Sequence, residues 1–212
     1  MFAALATPEM CQQILIDLGK TAALFGGILA VLGALEFGIL RRWRPTPPCA
    51  RVRALDLSLV VDVLCWAFPI TAGTLALSAT CSAAAEACGW SLPKQNIMQA
   101  LQPGFFPDYI RLALAAFALF EAPLLEEGIF RRFLFRNMLR SDGSGFWPAA
   151  LISGILFSAA HFNLLTCIPL AFFGAAMAWA YHRTGRIIVP MLLHFLFNLT
   201  NLLLLFIFPE MA

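Results

Sequence analysis

Charge is what this sequence has least of. Asp, Glu, Lys and Arg together make up 12% of the 212 residues, against 61% hydrophobic; a soluble domain carries about twice that charged share. So few charges cannot clothe a soluble surface, and the chain reads as a bilayer protein. A basic tail for nucleic acid, a disordered composition and a collagen repeat are absent, so no nucleic-acid partner is expected. Lysine is nearly missing, two residues against twelve arginines, a bias that favours a GC-rich bacterial genome. The six cysteines include no C-x-x-C pair and no zinc-type spacing, which removes a redox motif and a structural metal site. Most of them read as small apolar packing residues. The N-terminus lacks a basic n-region, carrying Glu9 and Asp17 instead, so the first apolar segment is not expected to be a cleaved signal.

What the chain does have is apolar runs of bilayer length. A spanning helix needs about 20 mostly apolar residues, and six such runs can be placed: 14–40, 55–79, 109–139, two within 143–182, and 187–208. The stretch from Gly143 to His182 contains no Asp, Glu, Lys or Arg and divides around Asn163 to Pro169. The expected fold is all-α, a polytopic membrane helix bundle of about six transmembrane helices around a polar cavity. Residues 1–212 form a single integral membrane domain, with the motif-bearing core at about 109–208. Between Glu86 and Asp108, Pro93, Pro103 and Pro107 surround Ile97, Met98, Leu101, Phe105 and Phe106, a pattern that fits an interfacial helix.

Orientation follows from the arginines, because short cytoplasmic loops are enriched in Lys and Arg. Arg41, Arg42, Arg44, Arg51 and Arg53 follow the first run; Arg131, Arg132, Arg136 and Arg140 end the third; Arg183 and Arg186 follow the fifth. These are alternate loops, and only Lys20, Lys94 and Arg111 remain for the other side. Both termini are therefore expected outside, in a multi-pass protein of a bacterial inner (cell) membrane. Cys81 and Cys88, both expected outside, are candidates for a disulfide.

Charged groups inside a membrane are costly and usually face a protein interior or a water-filled cavity. Glu121, Glu126, Glu127, Arg131 and Arg132 crowd one predicted helix. Glu127 and Arg131, four apart, share a face and can pair; Glu126, rotated about 100° from Glu127, can point elsewhere. One carboxylate then belongs to structure and the other is free. His161 lies in the fourth run, and His194 and Asn198, four apart, lie on one face of the sixth. Counting from the cytoplasmic turn at the 1.5 Å rise puts Glu126 and His161 both roughly 21 Å deep, and His194 and Asn198 at about 12 and 18 Å. A carboxylate, two imidazoles and an amide thus converge near mid-membrane. The third histidine, His182, sits in a basic loop and reads as ordinary.

Glu126-Glu127-Gly128-Ile129-Phe130-Arg131 matches E-E-x-x-x-R, Phe157 to His161 matches F-x-x-x-H, and His194 to Asn198 matches H-x-x-x-N. In that order, on successive membrane helices, they resemble the CPBP family of intramembrane endopeptidases, which contains type II CAAX prenyl proteases, bacteriocin-processing and self-immunity proteins, and sorting-signal proteases such as myxosortase. The resemblance covers roughly the C-terminal half. It implies a peptide hydrolase acting on a membrane-anchored or lipidated protein or peptide in the lipid bilayer, with C-terminal processing, using a glutamate-activated water and no cofactor. Carried over, Glu126 would be the base, His161 would help to hold the water, His194 and Asn198 would stabilise the oxyanion, and Glu127 and Arg131 would support the site.

Blander readings stand beside this one. Glu127 with Arg131 can be a buried ion pair that only fixes helix position, and Glu126, His161 and His194 can be polar groups that hold helices together. Ser158, Thr200 and Asn201 read as helix-helix hydrogen-bond partners, and Asp62 and Glu36 as residues of the bundle interior or the cytoplasmic interface. One Glu and two His are also a zinc ligand set, which keeps a metal-dependent protease open although the compact H-E-x-x-H helix is absent. A non-catalytic immunity or scaffold protein is the remaining alternative. A transporter would show repeated halves or broken helices in matching positions, and neither is visible.

Overall fold

The computed structural model describes residues 7–35, 57–90, 100–102, 104, 106–139 and 145–208. Six principal helical runs, with no strand among the described residues, make an all-α bundle. α1 is Pro8–Leu35, with the Thr7 hydroxyl accepting from the Met10 N–H at its start. α2 is Leu57–Ala87 and carries Pro69 in its interior. The second apolar run was placed over 55–79; the helix continues eight residues further because the segment after Ala79 is rich in alanine, a strong helix former that hydropathy alone does not register.

The third run, α3, is composite. It passes from α-helix over Asp108–Ala116 into π-helix over Phe117–Glu121, returns to α over Ala122–Glu127, widens again over Gly128–Phe135 and closes as α over Arg136–Met138. The sequence predicts one regular helix here. Two π segments replace it, and the Glu126-Glu127 pair ends the short α stretch between them. α4 is Phe146–Ala159, entered through Gly145 at φ 81°, where a left-handed residue favours glycine. α5 is Cys167–Thr184, ended by Gly185 at φ 67°. α6 is Ile188–Ile207.

By length and composition, α1, α2 and α6 are each able to cross a membrane. The other three, also expected as spans, differ for identifiable reasons. α3 is interrupted and charged, α5 ends on Tyr181-His182-Arg183, and α4 has 14 residues, about 21 Å at the helical rise. The arginines at 41, 42, 44, 51, 53 and 140, with Lys94, Glu36 and most of the expected interfacial helix, lie outside the described residues. Cys81 and Cys88 are free. The α2 helix carries Cys81 and ends one residue before Cys88; seven residues at the helical rise separate them by about 10 Å, beyond the reach of a disulfide.

Packing fixes the directions. Trp66 meets Trp179 edge to face at 4.3 Å and Gly73 lies against the Phe172 ring, so α2 and α5 run antiparallel. α5 turns through Gly185 into α6, and Phe173 packs on Phe197 at 4.4 Å; α2 and α6 are therefore parallel. The main core gathers Phe157, Phe173, Met177, Leu193 and Phe197 from α4, α5 and α6 around Leu59, Val63 and Ile70 of α2. α4 and α5 touch backbone to backbone. A Cβ on Gly154 would stand 2.5 Å from Ala171 O, and one on Gly174 would stand 2.7 Å from the Gly154 Cα, so any side chain there would force the helices apart.

Candidate active site

The wider π turns free backbone carbonyls, and side chains from other helices take them up. Ala122 N–H reaches back five residues to Phe117 O. The next donor in that register would be residue 123, which is proline and has no N–H. Ala118 O is left over, and Asn198 Nδ2 donates to it from α6 at 2.7 Å. In the second π segment Phe130 O accepts from the Ser153 hydroxyl of α4 at 2.9 Å. The irregular helix is thus held by α4 and α6 at the places where its own ladder fails.

Glu127 and Arg131 are both fully buried. Arg131 Nη1 lies 3.0 Å from Glu127 Oε1, an ion-pair distance, with its N–H directed off the line required for a hydrogen bond. Arg131 Nη2 donates to Gly174 O at 3.1 Å, and the guanidinium sits 4.5 Å over the Phe157 ring. The arginine therefore ties α3 to the α4–α5 contact at Gly154 and Gly174. The pairing expected from i, i+4 spacing is present.

The same Glu127 oxygen has a second partner that spacing could not reveal: His194 Nδ1 stands 2.9 Å away. A carboxylate accepts, so Nδ1 carries the proton and Nε2 is the ring atom left over. It points to Glu126, with Nε2 3.9 Å from Oε2. Phe157 and Phe173 hold the ring edge to face at 5.8 and 5.2 Å. His161 is oriented in the same manner. Its Nδ1 is 2.9 Å from Phe157 O, and since a carbonyl only accepts, Nδ1 is the donor, which in the neutral ring leaves the lone pair on Nε2.

Glu126, His161, His194 and Asn198 all line one cavity of about 450 Å³. The four residues singled out from sequence are brought together, and Glu127 with Arg131 lies behind them. The two carboxylates sit differently: Glu127 Oε1 is held by Arg131 and His194 away from the cavity, whereas Glu126 lines it; one oxygen of each, Oε2, is buried and accepts no hydrogen bond from the described residues. Ser158 does bridge helices, donating to Cys167 O at 2.7 Å. Thr200 and Asn201 do not; each bonds back to a carbonyl of its own helix, at Leu196 and Phe197. Asp62 is half-buried and does not line the cavity. Among the described residues no three His, Cys, Asp or Glu side chains stand close enough together to hold a metal ion.

The bundle brings a carboxylate and two imidazoles to one cavity, and comparison with known proteins supplies the class, the intramembrane peptidases. Residues 108–200 match the family model described as type II CAAX prenyl endopeptidase, Rce1-like. An Escherichia coli relative described as "Uncharacterized 24.3 kDa protein" is 32% identical over 188 residues, covering 85% of this chain and 80% of the relative. A Bacillus subtilis (strain 168) relative named "Putative membrane peptidase YdiL" is 36% identical over 76 residues, which is 36% of this chain and 30% of that protein. No solved structure matches the chain. Residues 108–200 thus form an Rce1-like type II CAAX prenyl endopeptidase domain, and the activity this supports in general terms is that of an intramembrane peptidase.

Proposed function

We propose that the chain hydrolyses a peptide bond with a water activated by Glu126, acting near the C-terminus of a membrane-anchored or lipidated substrate. The observation that carries this reading is the contrast between the two carboxylates: Glu127 is fully buried behind the cavity and engaged on Oε1 by Arg131 and His194, while Glu126 lines the cavity and its Oε2 accepts no hydrogen bond from the described residues, with His194 Nε2 3.9 Å away. A base must reach the water it activates, and Glu126 is the carboxylate that lines the cavity. His161, with its Nε2 lone pair, helps to position the water. The water gives its proton to Glu126 as its oxygen attacks the substrate carbonyl, and the tetrahedral oxyanion forms. The second N–H of the Asn198 amide, whose first is committed to Ala118 O, stabilises that oxyanion. The proton can move from Glu126 across 3.9 Å to His194 Nε2, where Glu127 balances the imidazolium and the new N–H joins Asn198 as a donor. It leaves with the departing amine as the C–N bond breaks.

In this reading no cofactor takes part, residues 1–212 act as one membrane domain, and both termini lie outside a bacterial cell membrane. Support for a lipidated substrate comes from the family description alone. The test is Glu126→Gln on purified protein with an acylated, cleavable peptide. The variant should fold and fail to cleave, since the amide cannot accept the proton. Near-normal turnover in Glu126→Gln refutes the glutamate mechanism, and activity that tracks bound zinc and dies with a chelator replaces it with the metal-dependent one.

A further inference from the structure

The cavity does not end at the four polar groups. It continues along α2 and α6, and the α2 wall carries hydroxyls. Thr74, Ser78 and Ser82 all line it, and their spacing puts them on one helical face at intervals of about 6 Å. Facing them, His194, Asn198 and Asn201 line the cavity from α6, which runs parallel to α2, so both walls lead from the Glu126 centre in the same direction. The Thr74 hydroxyl donates to Ile70 O at 2.8 Å and keeps its lone pairs. No hydrogen bond among the described residues engages the hydroxyls of Ser78 and Ser82. Elsewhere the wall is mostly apolar, with Leu75, Leu101, Leu170, Phe197 and Leu202.

A peptide cleaved here must first expose the bond to be broken, which a helix keeps inside its own hydrogen-bond ladder. Once unwound in a cavity poor in water, its N–H and C=O groups need new partners. An extended chain repeats its backbone orientation every two residues, about 6.6 to 6.8 Å, close to the interval between successive hydroxyls. Over the roughly 12 Å from Thr74 to Ser82 about four extended residues fit. A hydroxyl both donates and accepts, so it serves either backbone group whatever the side chain. We propose that Thr74, Ser78 and Ser82 form a rail for substrate backbone, holding about four residues of an unwound segment in extended form beside Glu126. The chain then selects segments that can leave helical form rather than a side-chain sequence. The proposal rests on the peptidase reading above and names how that site takes its substrate.

The experiment uses the full chain in lipid nanodiscs and randomised short peptides bearing one fatty-acyl chain and a fluorophore. Binding is read by anisotropy on Glu126→Gln, and cleavage by mass spectrometry on the native chain. Ser78→Ala and Ser82→Ala should each weaken binding, and raise KM, about two- to tenfold, the span of one lost hydrogen bond, with kcat unchanged. Ser78→Thr and Ser82→Thr, which keep the hydroxyl, should restore both. Peptides N-methylated along the segment should bind the parent chain more weakly and should lose little further on the double alanine variant, because both changes delete the same bonds. Unchanged binding in the alanine variants, a fall in kcat alone, or equal N-methyl penalties in parent and double variant overturns the rail. If the native chain binds the peptides with this pattern but releases no product, the peptidase reading has failed while the rail stands.

Discussion

The proposed mechanism gives Asn198 a second job beside its observed bond to Ala118 O, and the two can be pulled apart at Pro123. Replacing Asn198 by alanine removes the Nδ2 that sits 2.7 Å from Ala118 O, a carbonyl stranded because proline at 123 offers no N–H to the widened turn. Interhelical hydrogen bonds inside membranes contribute about 0.6 kcal/mol on average and up to about 1.7. A stranded acceptor places this one toward the top of that range, so Asn198→Ala should lower the melting temperature by a few degrees. In the proposed mechanism the same substitution also removes a donor to the oxyanion, a loss that elsewhere costs about 10² to 10³ in kcat. Pro123→Ala supplies the missing backbone N–H in the register that Ala122 already follows to Phe117 O. The double variant Pro123→Ala/Asn198→Ala should therefore regain most of the lost stability and almost none of the lost turnover. Thermal unfolding in detergent and peptide cleavage on the same preparations give the two readings. If the double variant is no more stable than Asn198→Ala, the account of the π turn is wrong. If turnover returns with stability, Asn198 acts only through the fold.

Two further outcomes follow from the buried groups behind the site. Arg131→Met leaves the fully buried Glu127 with no cationic partner and should cost about 3 to 5 kcal/mol; adding Glu127→Gln should recover a large part of it in an unfolding titration, and simple additivity of the two would show that they do not act as a pair. Gly174→Ala places a Cβ 2.7 Å from the Gly154 Cα and should destabilise by about 1 to 3 kcal/mol, whereas Gly26→Ala, with nothing within 4 Å, should not; equal melting points for the two would contradict the close packing of α4 on α5.

The bundle was legible because its signals are one-dimensional. A forty-residue stretch without Asp, Glu, Lys or Arg has to hold two helices, and they appear as α4 and α5, with the break at 160–166. Rise per residue was enough to expect Glu126 and His161 at about 21 Å and His194 and Asn198 at about 12 and 18 Å, within reach of one cavity, because it needs only helix direction. What sequence could not supply was the π geometry of α3. It changes which carbonyls are free, and so assigns Asn198 and Ser153 partners that regular spacing does not predict. Pro123 was the available sign of it. The His194 bond to Glu127 was likewise hidden, since it joins residues 67 apart whose distance depends on how two helices pack. The early end of α4 did leave a mark: Asn163 accepts from the N–H groups of Leu165 and Thr166, a turn that asparagine favours.

The shortness of α4 carries a mechanical consequence. A hydrocarbon layer is about 30 Å thick, so a helix of about 21 Å falls roughly 9 Å short of the far side, and the turn that follows it is greasy rather than polar. Phe162 is 96% exposed and Leu164 71%, both immediately beyond His161. Lipid meeting this face has to thin, or water has to dip, to make up the difference. Where α4 spans the layer, the bilayer would be dented beside the cavity, and such a dent would bring aqueous reactant toward the histidine without opening the bundle. Hydrolysis inside a membrane needs water where lipid keeps it out, and a helix that stops early is a way for the protein to recruit the membrane's own elasticity to deliver it.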